Sequence, residues 1–353
     1  MYTLDEIAKI AGVSASTVSR ALSNNKKISS KTIERIQAIA KELNYTPNLS
    51  ARALTGKGTK LIGLIIPEIK SNYFAQVINH VESRLNAKGY ALIVVTSDFD
   101  PSKAIGNLEL LIGRAVDGVI YGDGFDYEGV NVSKYNQKLK NVINKRNETN
   151  DIPIVFLSSA GEDIGQECIM FDDEHGITLM VAYLAELGHK SIGFVGESLS
   201  KKARLFPFQR ALAKYGIEYN ENFVKTDGKE RFEEGGYLRM KELIAEGELP
   251  TAIFATYDNI AIGVMKALSE EGLKVPEDIS IVGFDNIRES QYLTPSLTTI
   301  FPPVMEITRR AVDLLIEKIE NNESNANVKQ HTAAKTILYP ELVIRQSTGA
   351  PRK

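Results

Sequence analysis

One cysteine, four histidines and no apolar run near membrane-spanning length set the first limits on this 353-residue chain. The lone Cys168 excludes a disulfide framework within the chain and fits a reducing compartment. His80, His175, His189 and His331 are scattered, with none in the spacing of a metal site or a catalytic triad. His189, in "LGHKSIG", reads as a helix-end residue favoured by the dipole. A membrane span needs about 20 consecutive apolar residues, and no such run is present. The opening "MYTLDEIAKI" places acids where a secretory signal has bases and an apolar core. "TGKGTK" superficially looks like a phosphate loop, but Ala51 stands where its first glycine is required. The expectation is a cytoplasmic, non-membrane protein that is not an enzyme and holds no metal or cofactor.

Of the residues, 43% are hydrophobic and 25% charged, ordinary for a soluble chain long enough for two or three packed units. The net charge of −3 is unevenly spread. Residues 1–60 hold ten Lys/Arg against four acids, a balance of +6, so the remainder carries −9. A basic head on an acidic body points to a polyanion partner, or simply to a solvated basic face.

The head reads as three short helices. Thr3 and Glu6 stand in capping-box spacing before Leu4, Ile7, Ala8 and Ala11, which share one face. Gly12 stops that helix. Ser14 caps the next, in which Val18 and Leu22 form the buried stripe and Ala15, Ser16, Ser19 and Arg20 face outward. Ser and Thr are mediocre helix formers, so a helix exposing Ser14, Ser16, Thr17 and Ser19 raises the question of what needs that surface. Ile28 and Ile33 flank Ser29 as a staple on a third helix, which turns Ile36, Ile39, Ala40 and Leu43 inward. A capped helix, a Gly turn and a second helix with small outward residues is helix-turn-helix chemistry. Small side chains let the helix enter a major groove about 12 Å wide, where hydroxyls and Arg20 reach phosphates or base edges.

The segments "TLDEIAKIAGVSASTVSRALS", "NYTPN" and "ARALTGKGTKLIGLIIP" resemble the DNA-binding domain and hinge of the lac repressor (LacI/GalR) family. The resemblance runs over residues 3–67 almost without gaps. It implies a hinge helix that forms on operator DNA, with Leu54 wedged into the minor groove and Asn48 and Ala51 on the same strap. An apolar wedge trades unstacking energy for a kinked duplex and more contact. Packing of Leu54 on its own domain is the alternative.

Beyond Lys60, Val/Ile-rich runs such as "LIGLIIP", "ALIVVTS" and "SIGFVGE" alternate with helical patterns. Continuous apolar strands between helices argue for doubly wound parallel sheets, too many units for one sheet and hence two lobes. Ligands bind such sheets beyond the carboxyl ends of the strands, which here means the cleft between the lobes. "SNYFAQVINHVE", "ELGHKSIGFVGE", "AIFATYDNIAIGVM", "ISIVGFDN", "LTTI" and "ELVIRQST" extend the family resemblance to about residue 348, and imply an effector domain similar to periplasmic sugar-binding proteins. The domains expected are 1–47 (helix-turn-helix), 48–59 (hinge helix and linker) and 60–348 (effector and dimerisation). The first lobe would comprise about 60–168 and 303–330, the second about 169–302 and 331–348. "YNQKLKNVINKRNETND" (135–151) departs from the family and reads as an exposed insert.

The resemblance also implies an effector site. It assigns Asn72, Tyr73 and Phe74 after the first strand, Arg204 in "KKARLFPF" and Asp285 in "GFDN". Arg and Asp facing one cleft suit a polyhydroxylated ligand with its ring stacked on an aromatic. A cleft-spanning Arg204–Asp285 salt bridge and plain core packing of Tyr73 and Phe74 are the alternatives. Tyr257 stands where sugar-responsive members often carry Asn, beside a retained Asp258. Ser198 and Ser200 lie where purine-responsive members use a longer basic contact and a Thr, which favours a sugar over a purine. Arg231 or Phe232 would supply a remaining wall contact.

Helices "NYFAQVINHVESRL" and "NLELLIGRAV" carry apolar faces beyond what one sheet covers, and the family uses their equivalents to form a homodimer. No Leu-heptad tail follows "ELVIRQSTGAPRK", which argues against a tetramer. The functional expectation is a transcriptional regulator, a repressor, whose affinity for double-stranded operator DNA is set by a small effector. The competing class is a solute-binding protein or transporter component on the same lobes, which a signal peptide in place of the basic head would favour.

Overall fold

The computed structural model describes residues 2–22, 27–43, 45, 58–122, 131–147, 152–323 and 334–352. The chain forms two compact units, Met1–Thr59 and Lys60–Lys353.

The first unit carries α1 (Leu4–Ala11), α2 (Ala15–Leu22) and α3 (Ser30–Glu42). The capping box is formed: Thr3 N–H donates to Glu6 Oε2 at 2.7 Å and Glu6 N–H to Thr3 Oγ1 at 3.3 Å. Gly12 ends α1 in the left-handed region (φ +62°), where a side chain would be strained. Arg35 of α3 donates to the Ala11 carbonyl at 2.6 Å, closing the same helix end. Ile7, Val18, Ala21 and Ile36 are fully buried. In α2 the second fully buried residue is therefore Ala21, and Leu22, expected there, is half-buried. Ala15, expected outward, is also half-buried and packs on this core, because it lies one turn before Val18 and Ser19 on the rotating face. The strap residues Asn48, Ala51 and Leu54 lie outside the described residues.

The second unit contains, in chain order, β1 (Leu61–Ile66), α4 (Asn72–Ala87), β2 (Ala91–Thr96), α5 (Pro101–Gly113), β3 (Gly118–Tyr121), α6 (Val132–Asn147), β4 (Ile154–Phe156) and β5 (Cys168–Phe171). These are followed by α7 (Asp173–Glu186), β6 (Ile192–Val195), α8 (Phe206–Lys214), β7 (Val224–Lys225), α9 (Phe232–Ala245), β8 (Ala252–Ala255) and α10 (Asp258–Glu270). Then come β9 (Ser280–Phe284), β10 (Thr298–Phe301), α11 (Val304–Glu323), β11 (Lys335–Leu338) and β12 (Glu341–Val343). Two six-stranded sheets result, ordered β11-β5-β4-β3-β1-β2 and β12-β10-β9-β8-β6-β7. Pairing is parallel except between β10 and β12. Helices begin where the sequence caps them: Asp100 accepts from Ser102 N–H at 2.7 Å and leaves Pro101 at the first position, and Asp172 accepts from His175 N–H at 3.0 Å.

Each sheet is buried on both faces. On the first, α4 and α11 pack through Val77, Val81, Leu85, Ile307, Val312 and Leu315, and α5 and α6 cover the other side through Leu108, Leu111 and Leu139. On the second, α7 and α8 oppose α9 and α10. Helices α9 and α10 touch backbone to backbone, since a Cβ on Gly236 would strike the Ile260 carbonyl and one on Gly263 the Glu233 carbonyl.

Two expectations need correction. The lobe boundaries placed residues 169–171 and 331–338 in the second lobe, whereas β5 and β11 pair with each other along Lys335↔Cys168 to Leu338↔Phe171 at the edge of the first sheet. Both strands lead into the second lobe beyond the end of that ladder. The segment from residue 135 is not simply exposed: Tyr135, Leu139 and Ile143, four residues apart, seat α6 on the first sheet, and the Tyr135 hydroxyl meets that of Tyr121 at 2.6 Å. Among the described residues no helix is long and apolar enough to cross a membrane.

Candidate functional site

Loops leaving the carboxyl ends of strands in both sheets converge on a cavity of about 260 Å³. The first lobe contributes Glu68, Ser71, Tyr73 and Phe74 after β1, Phe99 after β2, Leu157 to Ser159 after β4, and Met170 and Phe171 at the end of β5. The second contributes Asp173 at the start of α7, Leu199, Ser200, Ala203 and Arg204 after β6, Arg231 and Phe232 after β7, Tyr257 after β8 and Asp285 after β9. This is the position at which an open parallel sheet binds ligands.

Arg204 is the best-held side chain in it. The chain makes a π-helical turn over Lys201–Leu205, in which Phe206 N–H reaches back to the Lys201 carbonyl, before α8 begins. Such turns are frequent at functional sites. The guanidinium lies 3.7 Å from the centre of the Phe284 ring and 4.5 Å from that of Tyr257. Its Nη1 donates to the Thr256 carbonyl, Nε lies 3.4 Å from Asp173, and Nη2 lies 3.9 Å from Asp285 Oδ1. Asp285 is buried at a backbone φ of +110°, a strained conformation for a non-glycine residue. Its Oδ1 has no hydrogen-bond partner among the described residues. Burial raises the Asp285 carboxyl well above the ordinary carboxylate range, against the pull of Arg204, and pushes Asp173 up to about 6. The Tyr73 and Tyr257 phenols are raised by the same burial, Tyr257 to about 12.

Arg231 spans the lobes. Its Nη1 donates to Glu68 of the first lobe at 2.7 Å and its Nε to Glu197 of the second at 2.8 Å. Glu197 also accepts from Phe232 N–H at 2.9 Å. A second bridge runs from Asn72 Nδ2 to Asn259 Oδ1 at 3.3 Å.

On the head, Thr3, Ser14, Ser16 and Arg20 are exposed and Ala15, Thr17 and Ser19 half-buried. The Ser14 hydroxyl lies 2.9 Å from those of both Ser16 and Thr17 and accepts from Thr17 N–H at 3.2 Å. Part of the hydroxyl richness thus caps α2, and the rest is surface.

Residues 3–48 match the model of bacterial regulatory proteins of the lacI family, and residues 181–348 match a periplasmic binding protein-like domain. The HTH-type transcriptional repressor PurR of Haemophilus influenzae is 34% identical over 350 residues, covering 98% of both chains. The chain belongs to the lacI family of bacterial regulatory proteins. A solved lac repressor dimer, bound to operator and the anti-inducer ONPF, superposes with a TM-score of 0.82 at 28% identity over 99% of each chain. A regulator of the same family from Enterococcus faecium with bound ribose gives a TM-score of 0.66 at 27% identity over 82% of this chain and 99% of its own. This LacI-family protein is a DNA-binding transcriptional regulator with a small-molecule effector domain, and not an enzyme. These relatives do not establish a sugar as its effector.

Of the expected effector residues, Tyr73, Phe74, Ser200, Arg204, Arg231, Phe232, Tyr257 and Asp285 meet at the cavity. Two do not line it. Asp258 is fully buried, accepting from Thr299 Oγ1 at 2.6 Å, Ile287 N–H at 2.9 Å and Ser290 Oγ at 2.5 Å, so its carboxylate fastens α10 to the loop beyond β9. Asn72 is turned to Asn259. Sequence reasoning missed Glu68, Phe99 and Asp173 on the cavity wall, and Glu197, which does not line it but accepts from Arg231. Each follows the carboxyl end of a strand in this LacI-family body, and that position was the available signal.

Proposed function

We propose that this regulator is a cytoplasmic, homodimeric repressor whose hold on operator DNA changes when a sugar fills the cleft. The reading divides the chain into a head (1–47), a strap (48–59) and a body from residue 60 to about 348. Residues Ala15, Ser16 and Arg20 on α2 set base preference, with Thr3, Ser14, Thr17 and Ser19 bonding phosphate or supporting the helix. Asn48, Ala51 and Leu54 form the strap that meets the minor groove. The observation that carries the effector reading is Asp285 Oδ1, which has no hydrogen-bond partner among the described residues and is buried beside Arg204 at a cavity walled by aromatic rings. A ring with hydroxyl donors satisfies that oxygen and stacks on the wall. The ribose-bound E. faecium neighbour and the operator-bound lac repressor dimer support the sugar and the dimer respectively.

A purine base is the second reading, favoured by the full-length relatives named PurR. Screening the full chain for thermal stabilisation by sugars and nucleobases separates the two. Operator affinity is then measured with and without each hit, by fluorescence anisotropy. A sugar that stabilises the chain and shifts operator affinity, with both effects abolished by Asp285→Ala, is the expected result. A response to adenine, guanine or hypoxanthine alone replaces the sugar with the base, and a response that survives Asp285→Ala removes the effector from this cleft.

A further inference from the structure

We infer that Arg345, on the segment after β12, is a positioning residue for the effector site: through Asn286 it holds the turn that places the Asp285 carboxyl in the cleft. This rests on the reading of the cleft as the effector site, and adds to it a residue that does not line the cavity.

β9 ends at Phe284, and the next two residues both take positive φ, +110° at Asp285 and +48° at Asn286. Asn is among the few residues that tolerate the left-handed region, while the Asp285 angle is strained. Such a backbone persists only where its surroundings over-determine it. Here the main chain is tied at three points. Asp285 N–H donates to the Ile300 carbonyl at 2.9 Å, Asn286 N–H to Thr299 Oγ1 at 3.3 Å and Ile287 N–H to Asp258 Oδ2 at 2.9 Å. The Asn286 side chain is held by Arg345, whose Nη2 donates to Asn286 Oδ1 at 2.6 Å. Nη1 of the same guanidinium donates to the Leu297 carbonyl at 2.6 Å, immediately before β10. One planar fork thus fixes Asn286 to the start of the strand whose Thr299 and Ile300 receive the amides of the turn.

Arg345 is itself anchored. Its N–H donates to Thr298 Oγ1 at 2.9 Å, and the N–H groups of Gln346 and Ser347 both donate to the Ser296 carbonyl, at 3.0 and 2.9 Å. The Ser347 hydroxyl donates to the Ile281 carbonyl at 2.6 Å, inside β9. A pre-organised fork on a fixed backbone loses little freedom in making both of its bonds. What the turn positions is the Asp285 carboxyl. It is buried, its Oδ1 has no hydrogen-bond partner among the described residues, and the same oxygen lies 3.9 Å from Arg204 Nη2. The direction of that oxygen therefore rests on the backbone beneath it and not on a bond of its own. A turn that relaxed to negative φ would swing the Asp285 Cβ, and with it the acceptor an effector meets.

The test reads Asp285 in the full chain without effector, by carbon-detected NMR of isotope-labelled aspartate, its resonance assigned by its loss in Asp285→Asn. Burial holds this carboxyl well above the ordinary carboxylate range. Arg345→Met removes the fork, and Asn286→Ala removes its acceptor and penalises the positive φ. In both, the carboxyl is expected to move toward solvent and titrate at least about one pH unit lower. Loss of a cation alone would move it the other way. Asn286→Gly takes the positive φ without strain, so in the Arg345→Met background it is expected to restore the high titration. Arg352→Met, which cuts an arginine bond to the Leu249 carbonyl on the same segment, should leave Asp285 unchanged. Asn286→Ala carries the test if Arg345→Met does not fold. An Asp285 that titrates in the folded variants as in the unaltered chain overturns the inference, and so does an equal fall in Arg352→Met. Ribose is titrated calorimetrically into the same proteins, and its affinity is expected to fall about tenfold or more in Arg345→Met and to recover with Asn286→Gly. An Asp285 that shifts as expected, in a chain whose ribose binding ignores Asp285→Ala, defeats the effector-site reading and not the positioning of the carboxyl.

Discussion

Asp258 is predicted to stabilise the second lobe and not to bind the effector, and replacing it by alanine separates the two roles. The substitution removes the shared acceptor of the Thr299 and Ser290 hydroxyls and the Ile287 N–H, all buried or nearly so. A buried donor left unpaired costs about 1–3 kcal/mol, and the two hydroxyls recover part of this by rotating to other acceptors. The expected loss is therefore roughly 3–5 kcal/mol, large for one substitution because one carboxylate ties the start of α10 to both β10 and the loop after β9. For a lobe of this size, 2–4 °C per kcal/mol gives a fall of roughly 10 °C in the melting midpoint. With no tryptophan in the chain, the transition is followed by far-UV circular dichroism or tyrosine emission. Asp258→Asn keeps one acceptor and should lie between. A loss below about 1 kcal/mol, accompanied by selective loss of effector binding in the folded protein, would refute the reasoning and return Asp258 to the site.

Three further outcomes are expected. Leu139→Ala, at a fully buried position of α6, should cost about 2–5 kcal/mol in chemical denaturation, where an exposed insert would lose almost nothing. Gly263→Ala should destabilise by about 1–3 kcal/mol, because the added carbon meets the Glu233 carbonyl of α9 and neither backbone yields easily; an unchanged midpoint would show that the helices separate freely. Asp173 is raised to about 6 by burial, so the folded chain binds its proton more tightly than the unfolded chain. Its contribution to stability is full below about pH 4 and is lost as pH rises through about 6, a difference of about 1–3 kcal/mol after allowing for its partial exposure. Asp173→Asn should flatten the stability–pH profile over that window, and an unaltered profile would assign the slope to another group.

The head and the doubly wound lobes were legible because periodicity and capping are local. Thr3, Glu6, Gly12 and Ser14 act within a few residues of themselves, and runs such as Leu61–Ile66 have no other way to hide two apolar faces. The errors fell where distant pairing overrides local pattern. The lobe boundary after β5 depends on a ladder to residues 335–338, which no local feature announces. The α6 segment was misread because its polar residues outnumber the stripe of Tyr135, Leu139 and Ile143 that seats it. In α2, the choice between Ala21 and Leu22 for full burial turns on which side of the stripe α1 and α3 close, and composition carries no record of that.

The same logic explains what was misassigned within the site. Arg204 and Asp285 were open to being read as a bridge between lobes, yet both stand on the second lobe, 3.9 Å apart. The interlobe bond falls instead to Arg231 and Glu68, which are 163 positions apart in loops without periodicity. Arg231 thereby has two of its nitrogens, Nε and Nη1, bonded to protein acceptors. Its position has a mechanical consequence, since the Arg231–Glu68 and Asn72–Asn259 contacts border the same cleft that holds Asp285. An effector that strengthens closure and the bonds that already close the cleft act on one equilibrium between the lobes, so loosening either bond changes effector affinity without touching the effector. On the first lobe, Lys60 opens the body in the left-handed region (φ +59°), its N–H donating to Asp117 at 2.7 Å and its ammonium to the Tyr90 hydroxyl at 2.8 Å. Asp117 and Tyr90 thus hold Lys60 in a conformation that side-chain-bearing residues rarely adopt.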